Sequence, residues 1–165
     1  MPKVLLAIVS VWALVGPAPS VMADEEPQKA VLITGATTGI GRVAAEHLAS
    51  NGYLVYAGAR KDSDIEELNK IENIQAVRLD VTIQEEIDAA VAHIRSEGRG
   101  LWGLVNNAGV NVVGPLIEFD DDDFDFLFDV NVRGVFSVTK AFAPLIIESK
   151  GRIVNISSIS GIGTG

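Results

Sequence analysis

Residues Lys29–Gly41 read Lys-Ala-Val-Leu-Ile-Thr-Gly-Ala-Thr-Thr-Gly-Ile-Gly, and the rest of the chain is organised around this stretch. The apolar run Ala30–Ile33 is typical of a buried parallel strand, and Arg42–Ala49 predicts a helix directly after the glycines. A strand, a glycine-rich turn and a helix in this order form the context of a dinucleotide fingerprint. Glycine lets a pyrophosphate approach the backbone closely, and the N–H groups of a helix N-terminus bind its charge.

The glycine spacing, G-x-x-x-G-x-G, differs from the usual G-x-G-x-x-G fingerprint and from the phosphate-binding P-loop. A competing interpretation is a turn whose glycines serve only close packing. The later strand ends favour a ligand site, because each carries polar or glycine residues: Arg60, Asp80, Asn106–Gly109, and Ser157 with Ser158. Ligands bind outside the carboxyl ends of parallel strands.

Strand and helix patterns alternate five times, which predicts an α/β fold with a Rossmann-type doubly wound parallel sheet and right-handed crossovers. The predicted strands are Ala30–Ile33, Tyr53–Ala57, Ile74–Leu79, Leu101–Val105 and Ile153–Ile156. The last of them is expected to be left as an apolar edge. Ser63 and Glu66 predict a capping box for a short helix. Ile83, Ile87, Val91 and Ile94 predict one apolar helix face.

Composition excludes several classes of function. The 165 residues contain no Cys, so disulfide scaffolds and thiolate metal sites are excluded. The net charge of −9 argues against a nucleic-acid surface. His47 and His93 lack metal-ligand spacing. The acidic run Asp120–Asp123 predicts a helix start rather than a metal site, because carboxylates favour the positive end of a helix dipole. No metal site is predicted.

The N-terminus resembles a targeting segment. Lys3 precedes the uncharged run Val4–Val15, and Val21-Met22-Ala23 offers a small-residue cleavage site. Residues 1–23 are therefore predicted to be a signal peptide or an N-terminal membrane anchor, followed by a linker at 24–28 and an incomplete Rossmann domain at 29–165. The protein is expected to be exported or membrane-associated rather than cytoplasmic.

Five groups of residues, taken together, resemble the classical short-chain dehydrogenase/reductase family. They are Thr34-Gly35-Ala36-Thr37-Thr38-Gly39-Ile40-Gly41, Asp80-Val81, Asn106-Asn107-Ala108-Gly109, Asn131 in Asp-Val-Asn-Val, and Ser157-Ser158-Ile159-Ser160-Gly161. The motifs follow the family's order and spacing from Lys29 to the end of the chain. The resemblance implies hydride transfer between a nicotinamide cofactor and a small-molecule carbonyl or alcohol, and a homo-oligomer for the full-length form.

The resemblance also implies roles for individual residues. The pyrophosphate and nearby ribose would be held by Gly35, Thr37, Gly39, Ile40 and Gly41. Asp80 and Val81 would contact the adenine, and the cofactor groove would be lined by Asn107, Ala108 and Gly109. Ser158 would hydrogen-bond the substrate oxygen, and Asn131 would help to hold a water in a proton relay. An Asn inside a helix can distort the helical hydrogen bonding and bind water.

The chain departs from the family in one respect. The catalytic Tyr-x-x-x-Lys belongs beyond the serine, whereas the two tyrosines here, Tyr53 and Tyr56, lie in the second predicted strand. The sequence is therefore expected to be a fragment of a longer protein and to be inactive by itself. A dinucleotide-binding protein without catalysis, acting as a sensor or scaffold, is the alternative.

The end of the second strand bears on the choice of cofactor. NAD enzymes place an acid there, about 20 residues past the glycines, to bind the ribose 2′-hydroxyl. This chain has Ala59-Arg60-Lys61 and no acid until Asp62. Arg60 can pair with a 2′-phosphate, so NADP(H) is predicted rather than NAD(H); a solvated basic pair is the alternative.

Overall fold

The computed structural model describes residues 28–158, which form one parallel sheet with helices on both faces. The five strands lie in the order β3-β2-β1-β4-β5. They are β1 Ala30–Ile33, β2 Leu54–Ala59, β3 Ile74–Arg78, β4 Gly103–Asn106 and β5 Arg152–Asn155. Every pairing is parallel, so the predicted doubly wound α/β architecture is confirmed.

The helices are α1 Gly39–Ser50, α2 Asp62–Leu68, α3 Gln84–Ser96, α4 Asp121–Phe128 and α5 Val135–Glu148, with a π-helix at Asp129–Gly134 and a short 3-10 helix at Leu116–Glu118. Two apolar clusters hold them to the sheet. Leu32 of β1 belongs to the cluster with α3 and α5, while Val31 and Ile33 belong to the cluster with α1 and α2. Side chains alternate along a strand, which is why β1, covered on both faces, is continuously apolar.

Two local predictions were wrong. The helix α2 begins at Asp62 with Lys61 at its N-cap, and Ser63 makes no capping hydrogen bond. Asp62 and Asp64 lie in its first turn, where their charge favours the helix dipole without a side-chain cap. Ile83 is not on the buried face of α3, because that helix begins one residue later and leaves Ile83 at the N-cap, 41% exposed.

The acidic run after β4 begins a helix, as predicted. The Asp120 carboxylate accepts a hydrogen bond from the backbone N–H of Asp123 at 2.8 Å. The continuous helical run Asp121–Glu148 has 28 residues and a mean hydropathy of 1.3, enough to span a membrane by length and composition. Within this run α5 packs against α3, β4 and β5, whereas α4 has no buried residue.

β5 lies at one edge of the described sheet. Ile153, Val154 and Ile156 at this edge are 40–49% exposed. The predicted apolar edge is thus confirmed for the described residues. Such an edge offers unpaired backbone groups to another strand.

Candidate active site

The carboxyl ends of β1 and β4 are joined through one buried hydroxyl group. Thr34, which is 1% exposed, follows β1, and its Oγ1 accepts hydrogen bonds from the backbone N–H groups of Asn107 at 3.0 Å and Ala108 at 2.9 Å. The same hydroxyl lies 3.5 Å from the carbonyl oxygen of Val105. This side chain therefore fixes the start of the loop after β4 against the start of the glycine turn.

The Asn107 side chain holds the glycine turn in place through two hydrogen bonds. Its Nδ2 donates to the carbonyl oxygens of Thr34 and Gly35, both at 3.0 Å. A Cβ at Gly41 would overlap that amide and lie 2.5 Å from the Gly35 carbonyl oxygen. Gly35 has φ +64, and a Cβ there would lie 2.9 Å from the Ala108 Cα. Two of the three glycines thus serve close packing of the two loops.

Gly39 differs from the other two glycines of the motif. It also has a positive φ, +57, but a Cβ there would meet no described atom within 4 Å apart from its own helix and chain neighbours. Gly39 and Ile40 are exposed, while Thr37 is half-buried. One side of the turn is therefore held by Asn107, while the other side, at the N-terminus of α1, is open to a ligand. There the backbone N–H groups and the helix dipole favour a negatively charged ligand.

Asn131 lies in the π-helix between α4 and α5, where the regular α-helical hydrogen bonding is interrupted. Its Oδ1 accepts a hydrogen bond from the Val110 N–H, and its Nδ2 donates to the Val110 carbonyl oxygen, both at 2.9 Å. A Cβ at Gly109 would lie 3.4 Å from the Asn131 Oδ1. Asn131 therefore anchors the loop after β4, and π-bulges of this kind are frequent at functional sites.

Asn131→Leu is expected to release this loop, because the leucine side chain can form neither hydrogen bond with Val110. Hydrogen exchange at the Val110 amide should accelerate about tenfold, as expected for the loss of one to two hydrogen bonds. Exchange in β1 should stay unchanged. Exposed Asn111, one residue beyond Val110, gives the matched control Asn111→Leu. Unchanged protection of Val110 in Asn131→Leu would contradict the anchoring role.

At the ends of β2 and β3, Arg60 and Asp80 form an ion pair, with Nη1 and Oδ2 separated by 3.7 Å. The Asp80 Oδ1 also accepts hydrogen bonds from the backbone N–H and the hydroxyl of Thr82, at 2.9 and 2.7 Å. Burial by itself raises the pKa of Asp80, but the Thr82 hydrogen bonds and the Arg60 charge outweigh it and lower that pKa below its usual value. Asp80 is therefore held as a carboxylate.

Val81 and Ser158, two further predicted residues, lie along the same edge of the sheet but differ in exposure. Val81 is only 8% exposed, and its side chain packs against Gly134. Ser158 is exposed beyond β5. The Ile156 N–H donates to the Asn106 carbonyl oxygen at 2.9 Å, which carries the β4–β5 pairing toward Ser158. The roles of these residues in binding and catalysis remain predictions.

Two residues of this edge, Thr34 and Asn106, belong to the motifs found in the sequence, but neither was given a role of its own there. Asn106 is 3% exposed, and its Nδ2 donates to Thr139 Oγ1 at 2.9 Å and to Asn155 Oδ1 at 2.8 Å. Its Oδ1 has no hydrogen-bond partner among residues 28–158. The sequence signal available was an Asn at the end of each of two predicted strands, Asn106 and Asn155; their pairing in register is seen only in the structure.

A parallel sheet in this strand order, with a braced and outwardly open glycine turn after β1, defines a Rossmann-type α/β domain. The sequence model of the short chain dehydrogenase family matches residues 29–164. The chain belongs to the short-chain dehydrogenase family, and the resemblance carried by its motifs is confirmed.

Curated dehydrogenases are among the proteins similar to this chain, in agreement with the family assignment. The chain is 45% identical over 148 residues to the mitochondrial D-beta-hydroxybutyrate dehydrogenase of Bos taurus, covering 84% of this chain and 43% of the relative. It is 38% identical over 167 residues to retinol dehydrogenase 16 of Mus musculus, covering 95% and 51%. The chain spans about half the length of these curated relatives.

A solved short-chain dehydrogenase from Streptomyces avermitilis superposes on the structure with a TM-score of 0.78 at 34% identity, over 84% of this chain and 52% of that one. Serine dehydrogenase from Escherichia coli gives a TM-score of 0.76 at 30% identity, over 82% and 65%. The fold seen here is therefore that of the corresponding part of known family members.

Proposed function

We propose that the protein is a nicotinamide-dependent oxidoreductase that interconverts a carbonyl and an alcohol in a small-molecule substrate. The observation that supports this most strongly is the glycine turn, braced by Asn107 on one side and open at Gly39 on the other. An open turn at a helix N-terminus fits a pyrophosphate, so a dinucleotide fits these residues. The bound nicotinamide would supply or accept the hydride.

Each predicted residue has a place in this proposal. The turn residues Gly35, Thr37, Gly39, Ile40 and Gly41 would hold the pyrophosphate and ribose, and Asp80 with Val81 would contact the adenine. The loop 107–109 would line the groove. The hydroxyl of Ser158 would orient the substrate oxygen and stabilise charge that develops on it. Asn131 would support a proton relay by holding the loop at Val110.

Neither tyrosine of these 165 residues is suited to donate a proton to the substrate oxygen. Tyr56 is fully buried in β2, and its hydroxyl has no hydrogen-bond partner among the described residues. Burial, with a smaller contribution from the Glu97 charge, raises the pKa of Tyr56, whereas a tyrosine acid at neutral pH needs a lowered pKa. A dinucleotide-binding protein without catalysis, which would need no proton donor, is the second candidate.

Binding and turnover separate the two candidates. Calorimetric titration with NADPH and NADH should give saturable binding under either candidate. Oxidation of the bound cofactor with a panel of ketones and aldehydes, followed by absorbance, reports catalysis in the full-length protein. There Ser158→Ala should lower kcat by about a hundredfold while leaving cofactor affinity unchanged. Absence of binding to either cofactor would refute both candidates, and binding without turnover by the full-length protein would leave only the second.

The preferred cofactor is proposed to be NADP(H). The Arg60 guanidinium is 65% exposed at the end of β2 and has the Asp80 carboxylate 3.7 Å away. A 2′-phosphate would offer this guanidinium a bidentate partner. NADPH should therefore bind at least about tenfold more tightly than NADH, a difference worth about 1.4 kcal/mol.

Arg60→Gln should remove most of this preference by weakening NADPH binding and leaving NADH binding nearly unchanged. Arg95→Gln, on the exposed side of α3, is the matched control, because it removes the same charge away from the strand ends. Equal or tighter binding of NADH by the unmodified protein would rule out the proposed preference.

Residues 1–23 lie outside the described residues, and their predicted role as a signal peptide or membrane anchor stands as a proposal. Residues 24–27 of the predicted linker also lie outside; Gln28, its last residue, hydrogen-bonds Asn73. The relative from Bos taurus is described as mitochondrial, so import into an organelle is a third destination that the same N-terminus could serve. We also propose that the full-length protein forms a homo-oligomer.

Cell fractionation followed by intact-mass measurement tests the proposal on the N-terminus. The expected result is either a mass that lacks about residues 1–23 in an exported or organellar fraction, or an intact N-terminus in the membrane fraction. An intact N-terminus in the soluble cytosolic fraction would contradict all three destinations.

A further inference from the structure

A cluster of five charged side chains at the ends of β2 and β3 contains one arginine to which the proposed function assigns no role. Its members are Arg60, Lys61, Asp62, Arg78 and Asp80. We propose that Arg78 is a positioning residue that sets the choice between NADP(H) and NAD(H). The inference rests on the proposed dinucleotide function and concerns the part of the site that would meet the adenosine ribose.

Arg78 holds the chain segment after β2 from the neighbouring strand. It pairs in register with Ala59, the last residue of β2. Its Nη1 donates to the Arg60 carbonyl oxygen at 2.6 Å, and its Nη2 forms an ion pair with the Asp62 carboxylate. One guanidinium thus fixes both the backbone of the proposed phosphate-binding residue and the first acid that follows it.

The ion pair with Asp62 matters for discrimination between the cofactors. A carboxylate that binds the ribose 2′-hydroxyl must have an oxygen free to accept its hydrogen bond. Asp62 is the first acid after β2; its Oδ1 is ion-paired with Arg78, and its side chain is 87% exposed. The ion pair weakens Asp62 as an acceptor for the ribose hydroxyl, because the Arg78 charge competes for the same carboxylate.

The partners of Asp80 leave Arg60 able to bind a second anion. Asp80 is held by Thr82 as well as by Arg60, so it keeps its hydrogen bonds when Arg60 turns to another anion. A 2′-phosphate, with nearly two negative charges, is a stronger partner for the Arg60 guanidinium than a neutral hydroxyl is.

The test is a cycle of variants with NADPH and NADH dissociation constants as the readout. Arg78→Gln should lower the NADPH-to-NADH preference about three- to fivefold, the effect expected from losing one exposed charged contact. NADH affinity should rise as NADPH affinity falls, because Asp62 is released. Asp62→Asn added to Arg78→Gln should remove the gain in NADH affinity. A purely structural role would instead weaken both cofactors together, with no effect of Asp62→Asn.

Circular dichroism melts of each variant show whether the fold is kept; Arg78→Lys serves if Arg78→Gln does not fold, since lysine cannot hold both partners in one planar fork. If the unmodified protein prefers NADPH and both Arg78→Gln and Arg78→Lys keep the same NADPH-to-NADH preference, the role of Arg78 is overturned while the proposed function stands. If the unmodified protein binds neither cofactor or prefers NADH, the proposed function or cofactor choice has failed, and the inference fails with it.

Discussion

Gly41→Ala is expected to abolish measurable dinucleotide binding and to lower the free energy of unfolding by about 1–3 kcal/mol, the cost of overpacking a tight site. The added methyl group would overlap the Asn107 amide and lie 2.5 Å from the Gly35 carbonyl oxygen. Asn107 would have to leave its hydrogen bonds to the turn, or the turn would have to move outward into the space left for the ligand. Calorimetric titration and a urea melt measure the two effects.

Gly52→Ala is the matched control for backbone effects. Gly52 lies in the turn between α1 and β2 with φ +83, and a Cβ there would meet no described atom within 4 Å. This variant should cost about 1 kcal/mol of conformational strain and leave cofactor affinity unchanged. Cofactor binding by Gly41→Ala with the affinity of the unmodified protein would show that the turn is not the binding element.

Thr34→Val should have the largest effect on stability, about 2–5 kcal/mol, although it exchanges one side chain for another of nearly the same shape. It removes the oxygen that accepts the N–H groups of Asn107 and Ala108. Each N–H left unsatisfied in a buried position costs about 1–3 kcal/mol. A large drop in Tm with little change in buried apolar surface is the expected result, and hydrogen exchange should become faster at residues 107–109.

Thr34→Ser keeps the hydroxyl and provides the matched control. It should retain both hydrogen bonds and lose only the packing of one methyl group, about 1 kcal/mol. If Thr34→Ser and Thr34→Val melted at the same temperature, the hydroxyl would not be what joins β1 to the loop after β4.

The order of the strands and helices could be predicted from the sequence, because local sequence patterns match the way in which each strand or helix is buried. The strand Ala30–Ile33 was predicted with its observed bounds, since a strand covered on both faces is apolar at every position. The start of α4 was predictable from Asp120, because an N-cap is a local hydrogen bond. Ser63 shows the limit: its capping box fits the same kind of rule, but the helix begins one residue earlier, where Arg78 holds Asp62.

The sequence predicted which strand ends form the candidate site, but not the hydrogen bonds and ion pairs that connect them. Thr34 reads as an ordinary strand-end residue, and its partners are 73 and 74 positions away. The pairing of Arg78 with Asp62 depends on which residues of β2 and β3 lie side by side, and that register is not visible in either strand alone. Asn131 was singled out by its motif, but its hydrogen bonds to Val110 required the structure.

The brace between Asn107 and the Gly35 carbonyl oxygen joins positions 72 residues apart. During translation the glycine turn leaves the ribosome well before the side chain that fixes its shape has been synthesised. A nascent chain that ends between β2 and β4 therefore carries every glycine of the motif without the contact that gives the turn its final geometry. Domains of this type gain their long-range contacts late, because the intervening loop must first be closed. The turn that we propose to bind the dinucleotide therefore reaches its final geometry only once β4 has joined β1.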